Sequence, residues 1–404
     1  MFDIPYCFKN KNENYLVLDS LKKFCKENKL KTTDDKTKLI ESIISFANDN
    51  EENKLKVAEW LDNILKEGVK NLIILKLEGI RDIRNKNIEE WKSIINNSFN
   101  IIESKYLVFA NNTYNINLCG YKFHEKNSVI NSISFNYTIL LKEQKNKSES
   151  PQTIIYPIFV DLYLNNGYII GRGKSKSSIG KFFTENKEIQ STTCEKLIFE
   201  AILKTQDALQ LQFEDKKVGT YKFKTKIHKM IDECTKTPIE IENRLAEEQK
   251  ARTNFIKNFF NRQDINLLEG DNFNNASEDL KIFMEKYLSI NSTDKTIFTE
   301  NKYGYPVQIA VTDEDFSSID ESSCDDKPLQ CTPIFFDNKK VIQRQKQCDN
   351  VSMVFKVTSK PYFQRNNIPV IFIVKKGILN IQFRKYALEE EIENVLSRVI
   401  GPNK

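Results

Sequence analysis

Residues 154–174, IIYPIFVDLYLNNGYIIGRGK, decide the fold class of this chain. Apolar and β-branched side chains fill residues 154–164 and 168–172, as is typical of strands. The Asn-Asn-Gly at 165–167 separates the two runs, and these residue types tolerate the positive φ that a tight hairpin turn requires. The stretch therefore predicts two antiparallel strands joined by a hairpin.

The same reading extends to both sides of this hairpin. Period-two alternation predicts further strands, and apolar residues at three- and four-residue spacing predict amphipathic helices. The further strands are predicted at 71–77, 105–110, 116–123, 129–142, 305–311, 332–336, 351–358, 368–374 and 378–384. The helices are predicted at 17–28, 36–47, 54–66, 86–98, 192–212, 239–261, 276–290 and 386–399.

This element order predicts an α+β fold with four parts. A small helical module occupies residues 1–50, and a helical connector follows at 51–100. A central antiparallel β-rich domain with helices covers 101–292. A basic α+β domain, rich in strands and ending in a helix, covers 293–404.

Composition limits the class of protein. The 404 residues are 40% hydrophobic and 29% charged, which is enough to build several cores with well-solvated surfaces. The net charge of +5 is compatible with a nucleic-acid partner without requiring one. The eight cysteines are scattered, a pattern typical of reduced thiols in the cytoplasm. The chain has no apolar run of about 20 residues and no leader pattern, so neither a membrane span nor a targeting segment is predicted.

The N-terminal module carries the most specific motif. Residues 18–46 read LDSLKKFCKENKLKTTDDKTKLIESIISF, with Leu21 on the first helix and Leu30 in the turn. Lys36 and the Leu39-Ile40 pair then open the second helix. This pattern resembles a SAP domain, a helix–extended loop–helix module, although Asp35 stands where the family usually has glycine.

The resemblance implies DNA binding. Backbone amides at the start of the second helix, together with nearby lysines, would form a corner that holds phosphate oxygens. The side chains expected to contribute are Lys22, Lys31, Thr33, Lys36 and Lys38. The alternative is a plain helical hairpin that packs on the next domain, and Asp34, Asp35 and Glu41 favour it because they offset the lysines.

A second basic segment follows the central hairpin. Residues 171–181, GRGKSKSSIGK, resemble the end of a P-loop, but the spacing from Gly167 is one residue too long. The leading interpretation of the segment is an ordinary solvated loop, and the functional alternative is a basic loop that contacts a nucleic-acid backbone. The contacting side chains would be Arg172, Lys174, Lys176 and Lys181.

The third basic region lies near the C-terminus. Between residues 338 and 388 only Asp349 carries a negative charge, while lysines, arginines and aromatic residues alternate. Basic strands with exposed aromatics can follow a phosphate backbone and stack bases. The nucleic-acid contacts predicted here are Arg365, Lys375, Lys376 and Arg384. Equally, the aromatics could be core residues and the lysines could protect strand edges.

Catalysis has weaker support. A two-metal nuclease needs an Asp and a Glu-x-Lys near one another on strands. Asp161 lies on a predicted strand, and Glu185 and Lys187 follow it in the chain. His124 and His228 are the only histidines and are interpreted as structural, and no cofactor or metal site is predicted.

The sequence therefore predicts a cytoplasmic nucleic-acid-binding protein whose partner is DNA, bound largely without sequence specificity. A role in mobile-element biology or phage defence is a further hypothesis. Two alternatives from other classes stay open: a metal-dependent nuclease or other nucleic-acid enzyme, and a scaffold that binds a protein partner.

Overall fold

The computed structural model divides the chain into two compact units. Unit 1 comprises Met1–Thr220, Val357–Ile368 and Lys376–Lys404, and unit 2 comprises Tyr221–Lys356 and Pro369–Lys375. The described residues are 1–10, 13–80, 84–101, 105–127, 129–144, 150–183, 188–266, 271–312, 318–360 and 364–401.

Helices and strands are numbered here in chain order. The helices are α1 (Tyr6–Lys9), α2 (Leu18–Glu27), α3 (Lys36–Asp49), α4 (Glu51–Ile64), α5 (Ile88–Phe99), α6 (Cys194–Ala208), α7 (Lys216–Cys234), α8 (Ile239–Glu247), α9 (Gln249–Arg262), α10 (Asn272–Ile290), α11 (Pro333–Gln345) and α12 (Glu389–Ile400). The strands are β1 (Lys70–Glu78), β2 (Asn117–Lys126), β3 (Val129–Glu143), β4 (Gln152–Tyr163), β5 (Tyr168–Lys174), β6 (Ile179–Phe183), β7 (Glu188–Thr192), β8 (Gln212–Phe213), β9 (Gly304–Thr312), β10 (Ser318–Ser322), β11 (Asn350–Lys356), β12 (Asn367–Lys375) and β13 (Ile378–Phe383).

Unit 1 is built on an antiparallel sheet. Its strands follow the order β13-β1-β5-β4-β3-β6-β7, with β2 on β3 and β8 on the end of β1. The predicted hairpin joins β4 to β5, with Tyr163 opposite Tyr168 and Gly167 at a φ of 65°. The predicted α+β class, with N-terminal helices and antiparallel strands, is confirmed.

One face of this sheet packs against α5 and α6. Ile73, Tyr137, Ile198 and Ile202 belong to the core between these layers. Gly171 lies directly beneath α6, because a Cβ there would come 2.5 Å from Ile198 Cγ2. The Gly-x-Gly of β5 therefore allows a helix to approach the sheet closely and does not form a phosphate loop.

The opposite face carries the N-terminal helices. Leu21 of α2, Leu39 of α3 and Leu61 of α4 share a core with Phe159 of the sheet. Asn50 caps α4 by accepting a hydrogen bond from the Asn53 backbone N–H at 2.8 Å. The first turn of α12 also reaches this face, where polar side chains interrupt the apolar surface of the sheet.

Unit 2 contains a smaller sheet in the order β10-β9-β11-β12, together with helices α8 to α11. Its helical core includes Ile241, Leu245 and Phe298. A buried ion pair joins Lys339 of α11 to Glu285 of α10 at 2.6 Å. Each partner of this pair is at most 10% exposed in its side chain.

Several predictions about elements and boundaries are wrong. Residues 332–336 were predicted as a strand, but α11 begins at Pro333 because proline is suited to the first position of a helix. Residues 107–109 form a 3₁₀ turn within the strand predicted at 105–110. Helix α7 was not predicted. The division predicted at 292–293 falls inside unit 2, and residues 376–404 belong to unit 1.

Candidate functional site: a polar cleft around Lys66

A branched cleft opens on the helical face of unit 1. It has three adjoining lobes, and Lys66, just after α4, lines all of them. Lobe A has a volume of about 360 Å³ and includes Asp62, Lys105, Tyr106, Tyr121 and Lys122. Lobe B has a volume of about 730 Å³ and includes Lys23, Lys26, Trp60, Glu67 and Lys360. Lobe C has a volume of about 270 Å³ and includes His124, Asp161, Arg172, Glu389 and Glu393.

A chain of hydrogen bonds crosses four strands in lobe C. Ser134 of β3 donates its hydroxyl proton to Asp161 of β4, because an ionised carboxylate can only accept. His124 of β2 places Nε2 at 2.9 Å from the same Ser134 oxygen. Arg172 of β5 donates to the other oxygen of Asp161 at 2.8 Å. Asp161 is thus the anchor of a chain that ends at an exposed imidazole ring.

The ionisation of Asp161 follows from its neighbours. Burial alone would raise the pKa of this carboxyl, but the positive charges of Lys66 and Arg172 and the hydrogen bond from Ser134 outweigh it and lower the pKa to about 2. Arg172 is 1% exposed and also donates to Glu389 at 2.6 Å. It therefore connects the first turn of α12 to the sheet.

Asp62 has the opposite environment at the floor of lobe A. It is 7% exposed and accepts hydrogen bonds from the Leu107 backbone N–H at 3.1 Å and from Asn136 Nδ2 at 3.0 Å. Burial is the largest influence and raises the pKa of Asp62 to about 7, against the hydrogen bond from Leu107 and the charge of Lys66. A carboxyl that exchanges its proton near neutral pH is typical of acid–base sites.

Lobe B combines an aromatic surface with mixed charge. The ring of Trp60 lies 4.6 Å from that of Phe24, measured between centroids, and Lys23 and Lys26 of α2 line the same lobe. Lys360 pairs with Glu390. Burial raises the pKa of Glu67 to about 6. The lobe therefore offers ammonium groups, carboxylates and an indole ring to a polar ligand.

The phosphate-binding corner predicted in the N-terminal module is occupied by carboxylates. Helices α2 and α3 form as predicted, but Asp35 caps α3 by accepting from the Thr37 and Lys38 backbone N–H groups at 2.9 and 3.4 Å. Lys22 pairs with Asp34, and Thr33 accepts from the Asp35 backbone N–H at 3.1 Å. Lys31 and Lys38 are exposed and Lys36 is half-buried. The corner as predicted is therefore already filled by the chain itself.

The prediction of an open basic loop at 171–181 is wrong. Residues 171–174 end β5, residues 179–181 begin β6, and only 175–178 form the connection. Three of the four cations in the segment have carboxylate partners. Lys176 lies between Glu13 and Glu143, and Lys181 pairs with Glu200.

The remaining two cations of this segment are also enclosed. Arg172 is held by Asp161 and Glu389. Lys174 is mostly buried with its ammonium 3.8 Å from the Tyr15 ring centroid, and burial lowers its pKa to about 7. The four side chains do not form an open basic surface.

The C-terminal basic region is divided by the fold. Arg365 is half-buried and pairs with Glu391, whereas Lys375, Lys376 and Arg384 are exposed. Tyr362 and Phe363, two aromatic residues of this region, lie outside the described residues. Of the four predicted nucleic-acid contacts, three are therefore exposed cations and the fourth, Arg365, already has a carboxylate partner.

Of the three candidate catalytic residues, Asp161 alone lies within the described residues. Asp161 lies on a strand as predicted, but its neighbours are the cations Arg172 and Lys66. Glu185 and Lys187 lie outside the described residues. Within the part of the chain that the structure describes, no group of three or more His, Cys, Asp or Glu side chains is arranged to hold a metal ion.

Sequence reasoning missed Asp62, Lys66 and the role of His124. Asp62 lies on α4 and Lys66 directly follows it, and the predicted helix at 54–66 reads as a plain amphipathic element, so nothing local distinguishes them. The sequence around His124 carried one usable signal. His124 directly follows the alternating strand predicted at 116–123, and Lys122, Glu125 and Lys126 lie within two residues of it. It was interpreted as structural, and the structure places it at the cleft.

Comparison with known proteins adds no further constraint. No protein-family model matches the chain, and no curated protein matches it either. None of the helices over the described ranges is both long enough and apolar enough to span a bilayer.

Proposed function

We propose that this chain binds nucleic acid in the cleft of unit 1, largely without sequence specificity. The observation that carries the proposal is the run of ammonium groups and aromatic rings through adjoining lobes that meet at Lys66. Lysines neutralise phosphates, and aromatic rings stack bases of any sequence. Lobes A and B also fall within the range of about 300–1,000 Å³ in which ligand pockets are found.

The three lobes differ in charge, and this difference determines which part of a bound nucleic acid each lobe favours. In lobe A, the three lysines Lys66, Lys105 and Lys122 outnumber the two acids. These are Glu59, which lies 2.8 Å from Lys122, and Asp62, which is partly protonated near neutral pH. Lobes B and C contain glutamates that repel phosphate but accept hydrogen bonds from the amino groups of bases. This pattern favours a single strand whose phosphate lies in lobe A and whose bases extend into the other lobes.

The first prediction concerns the lysines of lobe A. In the Lys105→Gln/Lys122→Gln double variant, we expect affinity for a fluorescent 12-nucleotide single strand to fall about tenfold. The slope of log K against log salt should decrease by about 1.4, since roughly two phosphate contacts are lost. Fluorescence anisotropy at two salt concentrations, with DNA and RNA in single- and double-stranded form, measures both quantities.

A matched control is available elsewhere in unit 1. Lys196 of α6 and Lys217 of α7 are exposed in unit 1 and do not line the cleft. The Lys196→Gln/Lys217→Gln variant removes the same charge and should bind within twofold of the unaltered chain. Equal losses in both double variants would show that only net charge matters and would reject the cleft as the binding site.

The second prediction tests whether the SAP-like loop adds a contact. Asp35→Asn keeps the side-chain oxygen that caps α3 but removes its negative charge. If phosphate lies near this helix start, affinity should rise about two- to fivefold, in line with the usual strength of anion–dipole contacts. Glu41→Gln removes the same charge further along α3 and serves as the control. An unchanged affinity in Asp35→Asn would restrict binding to the cleft.

A protein-binding scaffold stays open as a second candidate. Phe255 and Phe259 of α9 and Phe283 and Tyr287 of α10 are 49–61% exposed in unit 2. Large exposed aromatics on neighbouring positions of a helix are typical of protein-interaction surfaces. A protein partner for unit 2 would be compatible with nucleic-acid binding by unit 1.

A further inference from the structure

Two proton-exchanging groups reach the same side of one strand in the cleft. Ser134 and Asn136 are two residues apart on β3, so their side chains share a face and their Cα atoms lie roughly 7 Å apart. Ser134 bonds to His124, and Asn136 bonds to Asp62. The strand therefore holds an imidazole and a carboxyl at neighbouring positions along the cleft.

The hydrogen-bond chain selects one tautomer of His124. Because Ser134 gives its proton to ionised Asp161, its oxygen is left as the acceptor for His124, and Nε2 must carry a hydrogen. In the neutral ring the lone pair is then on Nδ1. When Nδ1 takes a proton, the resulting imidazolium is stabilised through Ser134 by the Asp161 carboxylate. Ser134 and Asp161 are thus positioning residues for a proton acceptor.

Lys66 stands between the two groups. It follows Asp62 by four residues, lines the lobes of both Asp62 and His124, and places its ammonium 3.9 Å from Asp161. Its side chain is 14% exposed, so its charge is only partly screened by solvent. An ammonium in this position can hold the non-bridging oxygens of a phosphate while the two flanking groups exchange protons with it.

We infer that the cleft cleaves single-stranded RNA by acid–base chemistry, with His124 as the proton acceptor, Asp62 as the proton donor and Lys66 as the phosphate-binding cation. This inference rests on the proposed nucleic-acid binding and identifies RNA as the substrate class, because the nucleophile is the ribose 2′-hydroxyl. His124, Asp62 and Lys66 are the proposed catalytic residues, because they would contact the 2′-hydroxyl, the 5′-oxygen and the phosphate.

The reaction balances without a further reactant. His124 Nδ1 takes the proton of the 2′-hydroxyl as its oxygen forms a bond to phosphorus. The bond between phosphorus and the 5′-oxygen breaks, and that oxygen takes the proton of the Asp62 carboxyl. The products are a 2′,3′-cyclic phosphate and a 5′-hydroxyl, and solvent returns His124 and Asp62 to their starting protonation states.

The environments of the two groups match these roles. Partial burial lowers the pKa of His124 below its ordinary value, opposed by Asp161 and Glu389 and assisted by Lys66 and Lys122. At neutral pH the imidazole is therefore mostly an unprotonated base. The raised pKa of Asp62 suits a proton donor, and the lowered pKa of His124 suits a proton acceptor.

The ionisation of Asp62 should determine how the cleavage rate falls at higher pH, as that of His124 determines how it rises at lower pH. Its burial keeps a substantial fraction of the carboxyl protonated at pH 7, with Lys66 lowering and Glu59 raising its pKa. Cleavage should rise with pH as His124 loses its proton and fall again as pH passes about 7. A bell-shaped profile with its maximum below neutrality is the expected result.

The third prediction tests this inference with the full chain and a labelled 12-nucleotide RNA in the presence of EDTA. We expect fragments ending in a 2′,3′-cyclic phosphate, detected by mass spectrometry, and no cleavage of the 2′-O-methyl strand of the same sequence. His124→Gln and Asp62→Asn should each lower the cleavage rate about 10²- to 10⁴-fold. Both variants should bind the 2′-O-methyl strand within threefold of the unaltered chain, which also confirms that they fold.

Two further results separate this inference from the proposed function. Binding of the 2′-O-methyl strand without cleavage of the RNA would reject the catalytic roles and leave nucleic-acid binding intact. Absence of binding to every strand would reject both. Cleavage that persists in His124→Gln and Asp62→Asn would also overturn the inference.

Ser134→Ala should shift the acidic limb of the profile to lower pH, because His124 loses its link to Asp161, whereas a purely structural role would leave the limb in place.

Discussion

Replacing Arg172 with methionine is expected to lower the free energy of unfolding by about 3–5 kcal/mol, the usual cost of removing one partner from a buried ion network. Arg172 is 1% exposed and holds Asp161 at 2.8 Å and Glu389 at 2.6 Å. Methionine fills most of the volume, so the loss comes chiefly from the buried Asp161 carboxylate, which loses its hydrogen-bonded cation and keeps only the more distant Lys66. Urea unfolding followed by circular dichroism measures the change.

The pH dependence of this loss has a defined sign. The folded-state pKa of Asp161 is about 2, below its ordinary value of 3.8, so its stabilising contribution is present above about pH 4 and is lost as pH falls through 2. In Arg172→Met the part of that depression that comes from Arg172 is removed, so the pKa of Asp161 rises, although Lys66 and Ser134 still lower it. Protonation of Asp161 then relieves the buried charge, and the difference between the two proteins should shrink as pH falls from 7 towards 3.

An exposed ion pair of the same unit gives the control for Arg172. Lys122 and Glu59 are 2.8 Å apart, but their side chains are 62% and 49% exposed. Lys122→Met should change stability by less than about 1 kcal/mol, because solvent screens the pair. A deficit in Arg172→Met that stays constant between pH 7 and 3 would contradict the role assigned to Asp161.

Local patterns predicted much of the fold. The alternation in residues 116–123, 129–142 and 154–164 correctly gave β2, β3 and β4, and the Asn-Asn-Gly gave the hairpin to β5. These features depend on neighbouring residues alone. Helix α7 was missed although Phe223, Ile227, Met230, Ile231 and Cys234 follow helical spacing and are buried. Gly219 and two threonines, Thr220 and Thr225, lower the intrinsic helix propensity of α7. Its stability therefore depends on packing, which local sequence patterns do not include.

The candidate site was less predictable because its contacts join distant parts of the chain. Arg172 meets Glu389 across 217 residues, and Lys176 meets Glu13 across 163 residues. Read in isolation, residues 171–181 carry an excess of positive charge and resemble an exposed phosphate-binding loop. Only the tertiary fold supplies the carboxylates that neutralise them. The same holds for the cleft, since the raised pKa of Asp62 comes mainly from burial in the tertiary fold, and Glu59 of its own helix adds only a smaller contribution.

The buried position of Lys176 leads to the last prediction. Its ammonium lies between Glu13 and Glu143, at 2.7 Å from the latter, and the three side chains are 5–9% exposed. Lys176→Met is expected to lower the free energy of unfolding by on the order of 3 kcal/mol, because two buried carboxylates lose the cation they share. Lys174 lies near the same carboxylates and offsets part of the loss, since its own pKa should rise from about 7.

Lys181→Met provides the matched comparison on the adjoining strand. Lys181 pairs with a single carboxylate, Glu200, and the two side chains are 23% and 43% exposed. Its loss should be below about 1 kcal/mol. For Lys176→Met the deficit should exceed that of Lys181→Met, because the two carboxylates that lose their shared cation are buried, whereas Glu200 is partly solvated. Similar deficits for both variants would mean that Lys176 is solvated and that this segment is the open basic loop its composition resembles. A large deficit for Lys176 alone would place this cation in the interior of unit 1 and leave the lysines of the cleft to contact a nucleic acid.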